Sequence, residues 1–261
     1  MMKRLAVGLL VLSGVASAGD WRDSITPRPP VPFAGVPPLT ATYRIGWMEI
    51  AAAHADVDIS YSEQAIVLHG RGGTTGFARS LYQLDGTLHA HSQRETFQTL
   101  WAQQVERYTD RILMAQMAQN ADGFWSLREK FPNPGNPSTW RRINQSPIYD
   151  LFSGLLFIRS QPLAIGDSVS TVIFPGDAAF LVNMKVLKAE RLTIADKDHD
   201  TLKLNLDIQR INLKKGGVLE PHKKFRSGTI WLSNDATRIP LRVEVNIFVG
   251  YVFAEIESLK L

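Results

Sequence analysis

Histidine and carboxylate residues at alternate positions are the first candidates for chemistry in this sequence. His89 and His91 lie two residues apart, as do His54, Asp56 and Asp58, so each set would face one side of a strand. Imidazole and carboxylate groups are zinc ligands, but no further ligand follows at a diagnostic spacing. The chain has no cysteine, which excludes thiolate metal sites and disulfides. We interpret both sets as exposed strand faces and predict neither a metal nor another cofactor.

Three other patterns match catalytic sites only in part. Glu255 and Glu257 share one face of a predicted strand, whereas a glycosidase places its two carboxyl groups on opposite sides of a sugar. Ser153 lacks the Gly-x-Ser-x-Gly turn that exposes a nucleophile, and is expected on a helix face. The glycines from Gly70 to Gly76 lack the lysine of a phosphate-binding loop. We therefore predict no catalytic residue and no enzyme activity.

The N-terminal residues have the three-part pattern of a secretory signal. Lys3 and Arg4 form a basic start, residues 5–12 are apolar, and an Ala-Ser-Ala sequence supplies the small residues that a signal peptidase requires. We expect cleavage after Ala18, so residues 1–18 are the signal peptide and the mature chain is periplasmic. The apolar run is shorter than the roughly 20 residues of a membrane span. Because no cysteine follows it, we expect neither a transmembrane span after cleavage nor a lipoprotein.

The charge balance gives no indication of a nucleic-acid partner. The formal net charge is +4, and loss of Lys3 and Arg4 with the signal would lower it to +2, from 27 basic and 25 acidic side chains. No basic run is interleaved with aromatic residues, as nucleic-acid binding would require. The mature chain is long enough to bury the core of one domain without disulfides.

The mature chain divides into an arm or linker and one domain. Six prolines fall within residues 19–39, which favours extended, helix-free backbone. This stretch is either a flexible spacer or an arm along the domain surface, and the apolar side chains of Trp21, Ile25 and Phe33 favour the arm. Residues 40–261 are expected to form a single β domain without internal repeats.

Apolar residues at every second position predict strands through most of this domain. The predicted strands lie within residues 43–47, 53–68, 88–97, 123–129, 169–174, 180–187, 202–208, 229–233, 240–249 and 251–259. The glycines from Gly70 to Gly76 are expected to break the chain, and Gly250 to form the last turn. Residues 102–119 suit a helix as well as a strand. One helix is predicted over residues 150–159, with Asp150 as its N-cap.

Four segments resemble a bacterial exported family that is catalogued as domain of unknown function 3108. They are Tyr43–Trp47, Asp150–Ser153, Pro162–Leu163 with Gly166–Asp167, and Trp231–Asp235 followed by Arg238–Val243. The last segment is the most specific, and together they cover about residues 40 to 258. The family's usual glycines are absent at Met48-Glu49 and Ala52-Ala53, so the first hairpin is expected to turn differently.

The resemblance implies a mainly β fold, a curved antiparallel sheet or open β-barrel with one packed helix, and a periplasmic location. It also favours strand over helix for residues 102–119. Envelope lipoprotein carriers, which wrap such a sheet around a helix, are an analogy at the level of fold only. The resemblance implies no reaction and no catalytic residue.

Aromatic residues sit in or beside most predicted strands. They either fill an ordinary core or line a lumen for an acyl chain, which a curved sheet can enclose. Our first hypothesis is a periplasmic, non-enzymatic binding or chaperone-like module that holds an apolar or lipid-like ligand in a concave sheet. Its predicted ligand-binding residues are Trp47, Phe152, Leu156, Trp231, Arg238 and Arg242.

Arg238 and Arg242 have the same strand parity and are expected on one face with Glu244. Their guanidinium groups either form structural ion pairs there or hold an anionic group such as a lipid phosphate. The alternative function is a structural or interaction protein of envelope assembly. It would bind a protein partner through a sheet edge or the proline-rich arm.

Overall fold

The computed structural model describes residues 20–27, 35–132, 135, 138–144, 147–176, 178–222, 225 and 227–261. The predicted signal peptide lies outside the described residues, as do Phe33 and Asp177. The described chain is mainly antiparallel β-sheet with one long packed helix, which confirms the predicted fold class.

The described residues form fifteen strands and two α-helices. The strands are β1 (Leu39–Trp47), β2 (Ile50–Tyr61), β3 (Ala65–Thr74), β4 (Leu84–Gln93), β5 (Thr99–Tyr108), β6 (Ile112–Asn120), β7 (Gly123–Phe131), β8 (Arg141–Ile143), β9 (Ser168–Ile173), β10 (Ala179–Ile194), β11 (Lys197–Asn212), β12 (Val218–Pro221), β13 (Ser227–Ser233), β14 (Pro240–Asn246) and β15 (Tyr251–Lys260). The helices are α1 (Gly76–Leu81) and α2 (Leu151–Ser160). Short 3-10 turns lie at Trp21–Ser24 and Leu213–Lys215.

All strands of the described residues belong to one sheet. Its order is β8-β7-β6-β5-β4-β3-β2-β1-β15-β14-β13-β11-β10-β9, and β12 pairs with β11 outside this path. Every strand pair is antiparallel, and most are hairpins between consecutive strands, for which a short turn suffices. The edge strands β8 and β9 do not pair with each other, so the sheet is an open barrel.

Antiparallel order places alternate turns at the same end of the barrel. One end, which we call the open end, carries the turns at residues 48–49, 75–83, 109–111, 174–176, 213–217 and 247–250. The opposite end, which we call the helix end, carries the turns at residues 62–64, 94–98, 121–122, 195–196 and 234–239. Both termini of helix α2 bind residues at strand ends of the helix end, through Asp150 and Arg159. Tyr149, two residues before α2, also pairs with Ile173 at the end of β9.

The N-terminus of α2 is held by a buried carboxylate. Asp150 Oδ1 accepts the backbone N–H of Phe152 at 2.7 Å, so the predicted N-cap is confirmed. Its Oδ2 accepts the hydroxyls of Thr99, at 2.6 Å, and Ser153, at 2.5 Å. Ser92 on β4 is 2.7 Å from the Ser153 hydroxyl, which joins two strands to the helix.

The C-terminus of α2 is held by arginines at the turn between β13 and β14. The buried guanidinium of Arg159 donates to the carbonyl of Thr237 at 2.5 Å, and Arg238 donates back to the carbonyl of Arg159 at 2.6 Å. Burial lowers the pKa of Arg159 to about 10, so the side chain stays charged at neutral pH. These bonds satisfy carbonyl groups that a helix C-terminus leaves without intrahelical partners.

The turn of the first hairpin has a left-handed backbone, although neither of its two residues is glycine. Met48 and Glu49 have φ angles of 45° and 69°, and Trp47 pairs with Ile50, which defines a two-residue turn. Such turns match the twist of the strands but strain residues that have a Cβ. The side chain of Glu49 is fixed by hydrogen bonds from Arg242 and Tyr251.

Two local predictions have different outcomes. Residues 102–119 form most of β5 and β6, so the interpretation as strand is confirmed. The expected break at Gly70 to Gly76 is wrong, because β3 continues through this cluster to Thr74. A Cβ at Gly72 would lie 2.5 Å from the His54 carbonyl, so glycine here permits close packing of the backbones and does not end the strand.

Residues 20–27 lie along the edge strand β9. Thr26 N–H donates to the Ser170 carbonyl at 2.8 Å, and Ser170 N–H donates to the Thr26 hydroxyl at the same distance. Trp21 donates its indole N–H to the Gly217 carbonyl at 2.8 Å, and Ile25 packs on the core. This part of the proline-rich stretch therefore has fixed contacts with the domain.

We predict that Asp150→Ala lowers the free energy of unfolding by about 3 kcal/mol, because it removes the helix cap and leaves buried hydroxyls without an acceptor. Urea denaturation followed by circular dichroism measures the change. The control is Asp122→Ala in the exposed turn between β6 and β7, with an expected loss under about 0.5 kcal/mol. Equal stability of the two variants would show that the network does not hold α2.

Candidate ligand-binding cavity

A cavity of about 720 Å³ lies inside the barrel, between α2 and the concave face of the sheet. Its lining is mainly apolar and comes from α2, β6, β9, β10, β11 and β13, with polar groups from β5, β7 and the segment after β12. This volume is typical of sites for small apolar molecules. The sheet and α2 therefore leave between them a space that their side chains do not fill.

The floor of the cavity is one face of α2. Leu151, Leu155 and Ile158 line it, at the spacing of four and three residues that places side chains on one side of a helix. Leu151 is exposed and Leu155 half-buried, although both are leucines of an otherwise buried helix. Their exposure reflects the open space above them.

The wall formed by β10 and β11 shows where the cavity opens. Met184 pairs with Leu206, Val182 with Ile208, and Phe180 with Arg210, so successive pairs line one face. Met184 and Leu206 are buried, whereas Phe180, Ile208 and Arg210 are only half-buried. Since burial decreases towards the turns at 174–176 and 213–217, the cavity opens at the open end of the barrel.

A few polar groups line the cavity near this opening. The Glu106 carboxylate accepts hydrogen bonds from the Gln104 amide at 2.7 Å and the Tyr108 hydroxyl at 2.6 Å. Burial, together with the hydrogen bond to Glu106, raises the pKa of Tyr108. Arg128 and Arg210 contribute positive charge to the lining. An apolar cavity with a few polar groups at its mouth suits an amphipathic molecule better than a purely polar one.

The predicted ligand-binding residues do not line this cavity. Phe152 and Leu156 lie on α2, as predicted, but on the side that packs into the core, where both are buried. The cavity is instead lined by Leu151 and Leu155, which directly precede Phe152 and Leu156, and by Ile158. Because α2 is apolar on both sides, its sequence could not show which side faces the open space.

Trp231 is on the outer face of the sheet. Its neighbour Ile230 lines the cavity, so strand alternation directs Trp231 outwards. Glu190 accepts the Trp231 indole N–H at 2.8 Å, and the Lys203 ammonium lies 4.8 Å from the centre of the ring. Trp231 is buried by these side chains and not by the core. This arrangement gives it a structural role.

The predicted shared face of Arg238 and Arg242 is also wrong. β14 begins at Pro240, so Arg238 precedes the strand, has a φ of 47°, and binds the C-terminus of α2. Arg242 lies on the outer face and contacts the carboxylates of Glu49, Glu244 and Glu255. These bonds raise the pKa of Arg242 although burial opposes them. Of the two alternatives for Arg242, the structure favours structural ion pairs.

Trp47 lies apart from the other predicted ligand-binding residues, at the open end. Its indole N–H donates to the Val249 carbonyl at 2.9 Å, which ties the turn of the first hairpin to that of the last. The ring remains 42% exposed. Trp47 is therefore near the rim of the barrel and not inside it.

The residues with possible catalytic or metal chemistry have structural contacts. His69 faces His89 across β3 and β4, and burial together with His69 and His91 lowers the pKa of His89. Asp56 and Asp58 accept hydrogen bonds from Thr42 and Thr40. No group of three or more His, Asp or Glu side chains among the described residues could hold a metal ion.

Two further candidate groups have partners of their own. Glu255 binds Arg44 at 2.8 Å and also contacts Arg242 on the outer face. Ser153 is fully buried in the Asp150 network. Sequence reasoning missed the cavity residues of β10 and β11. Their alternation was visible, but it does not distinguish a filled core from an open one.

The fold is that of a β-barrel-like protein closed at one end by a helix, and similar solved structures exist. A Brucella abortus protein described as a β-barrel-like protein of domain of unknown function DUF1849 aligns with 85% of this chain and 97% of its own, at a TM-score of 0.55 and 8% identity. The hypothetical lipoprotein YmcC from Escherichia coli aligns with 86% of this chain and 88% of its own, at a TM-score of 0.36 and 11% identity. The similarity to the Brucella abortus protein shows the fold alone.

The family model of "Protein of unknown function (DUF3108)" matches residues 40–257. The chain therefore belongs to the DUF3108 family, and the resemblance seen in its motifs is confirmed. No curated protein matches the chain. Among the described residues, neither helix is long and apolar enough to cross a membrane.

We predict that Glu190→Gln makes the free energy of unfolding depend less on pH in the acid range. The hydrogen bond from Lys188, together with that from Trp231, lowers the pKa of Glu190 below its ordinary value of 4.5. A carboxyl group with a lowered folded-state pKa stabilises the fold above that ordinary value, and this stabilisation is lost as pH falls through the folded-state pKa. Removing the Glu190 carboxylate should lower the free energy of unfolding near neutral pH and make that free energy fall less steeply as the pH becomes acidic.

Urea unfolding at pH values from neutral to below 4.5, followed by tryptophan fluorescence, measures the effect. The matched control is Glu95→Gln, which lies in an exposed turn. If the free energy of unfolding of Glu190→Gln falls at acid pH as steeply as that of the unchanged protein, Glu190 does not have this role.

Proposed function

We propose that the protein binds an apolar or amphipathic molecule, such as a lipid with an acyl chain, in the cavity above α2 and does not transform it. The observation that carries the proposal is the open, mainly apolar space of about 720 Å³, walled by β10 and β11 and floored by α2. Burial of apolar surface supplies the binding free energy, at about 25 cal/mol per Å². The polar groups near the opening would orient a head group.

The predicted export signal supports a periplasmic site for this binding. Lys3, Arg4 and the apolar residues 5–12 carry that prediction, and the missing cysteine after them carries the prediction that the protein is not a lipoprotein. In an aqueous compartment between two membranes, an acyl chain needs shielding from water to move or to be stored. The cavity offers such shielding.

We predict that Ile208→Trp weakens the binding of parinaric acid, a fluorescent fatty acid, by about tenfold or more, because a larger side chain on the half-buried wall fills the cavity. Leu187→Trp, at an exposed position on β10, is the matched control and should bind like the unchanged protein. Fluorescence titration measures the affinities, and circular dichroism checks that both variants fold.

Native mass spectrometry of protein purified from the periplasm tests occupancy directly. Bound lipid that is reduced in Ile208→Trp but not in Leu187→Trp would support the proposal. No bound lipid, together with no binding of parinaric acid, would refute it.

The alternative function is that of a structural or interaction protein that uses a sheet edge or the arm. One contact in the structure bears on it. Thr26 occupies the backbone groups of Ser170 on the edge strand β9. A partner that adds a strand at this position must first displace residues 20–27. Crosslinking in cells with and without residues 19–39 would show whether the arm captures a protein partner.

A further inference from the structure

The open end of the barrel exposes large apolar side chains on several neighbouring turns. Phe248 is 82% exposed in the turn between β14 and β15, and Phe77 and Leu81 are 78% and 72% exposed on α1. Ile50 and Val249 are also largely exposed there. Exposed apolar residues are normal when scattered singly, but a group of them marks an interaction surface.

The turns and the helix that carry these side chains are neighbours. β1 pairs with β15, so the turn at 48–49 lies beside the turn at 247–250, and the Met48 side chain packs against Gly250. Thr75 N–H donates to the Ala52 carbonyl at 2.9 Å, which brings the start of α1 next to β2. We call this group the apolar rim. Its members are Trp47, Met48, Ile50, Phe77, Leu81, Phe248 and Val249.

The apolar rim is on the same end as the opening of the cavity. The rim follows the turns of β14, β15 and β1 to β4, and the cavity opens between the turns of β5, β6 and β9 to β11. In a barrel these turns form one circuit. A surface that covers the rim would therefore also face the cavity.

The charges of this end suit a surface of lipid phosphates. The described turns of this end carry four basic side chains, Arg79, Arg111, Lys214 and Lys215, but only two carboxylates, Glu49 and Asp110. Both carboxylates lie within 2.9 Å of a guanidinium group, that of Arg242 for Glu49 and that of Arg111 for Asp110. Lys214 follows the exposed Leu213 in the chain. Basic side chains next to exposed apolar ones are typical of segments that bind anionic membrane surfaces.

The shape of the rim also favours a membrane over a protein partner. Its side chains come from separate turns and a short helix. A bilayer accepts separate projecting side chains without matched shape, whereas a protein interface requires shape complementarity. Trp47 has its indole N–H satisfied by the Val249 carbonyl, so the ring can enter an apolar interface without loss of a hydrogen bond.

We propose that the open end docks on a phospholipid bilayer, with the apolar rim in the lipid interface and the cavity opening towards it. This inference goes beyond the proposed function, since docking does not require an occupied cavity. If both hold, the molecule in the cavity enters from or returns to the membrane.

The test is flotation of the purified protein with phosphatidylcholine vesicles that contain phosphatidylglycerol. The triple variant Phe77→Ser, Leu81→Ser and Phe248→Ser should reduce the bound fraction by about tenfold or more, because these side chains supply most of the buried apolar area. The matched control is Ile165→Ser with Leu187→Ser and Leu259→Ser, three exposed apolar residues away from the rim. It should bind like the unchanged protein. Thermal unfolding checks that both variants fold.

Three results would overturn the proposal: no binding of the unchanged protein to these vesicles, equal loss in both triple variants, or self-association that the rim substitutions abolish while vesicle binding persists. Parinaric acid titration of the rim variant separates the two proposals. Retained fatty-acid binding with lost flotation supports docking as a separate property. Flotation without any fatty-acid binding supports docking and removes the cavity function alone.

Discussion

The buried carboxylate of Asp150 is the contact on which the cavity depends. It accepts the first N–H groups of α2 and the hydroxyls of Thr99 and Ser153, so it fixes the helix and the strand ends with one group. Hydrogen bonds to a carboxylate are stronger than hydrogen bonds between neutral groups. Because α2 is the floor of the cavity, the open space exists only while this network holds the helix across the end of the barrel.

The alternation of side chains along each strand places neighbouring residues on opposite faces of the sheet, and two strands of this sheet show the consequence. Ile230 lines the cavity while Trp231 is covered by Glu190 and Lys203 on the outside. In the same way Arg242 joins the outer ion pairs while Leu241 and Val243 face the core. At these positions the outer side chains are held by charged partners and the inner ones by apolar packing.

Much of the fold could be predicted from the sequence, but little of the site. Period-two alternation, the Asp150 cap and Gly250 gave the strands, the helix and the last turn, because each depends on local backbone preferences. Phe152 and Leu156 do not line the cavity, since α2 is apolar on both sides and its rotation depends on distant strands. Arg238 does not share a strand face with Arg242, because it lies in the turn before β14 and itself has a left-handed backbone, which the sequence does not reveal.

The contact between Thr26 and Ser170 has a consequence for how copies of this protein meet. An uncovered edge strand offers its backbone N–H and C=O groups to any other extended chain, which is the usual start of intermolecular β-polymerisation. Here the chain's own N-terminal arm takes those groups on β9, while the other edge, β8, is only three residues long. The protein thereby keeps an unclosed barrel without presenting a long template for growth into fibres.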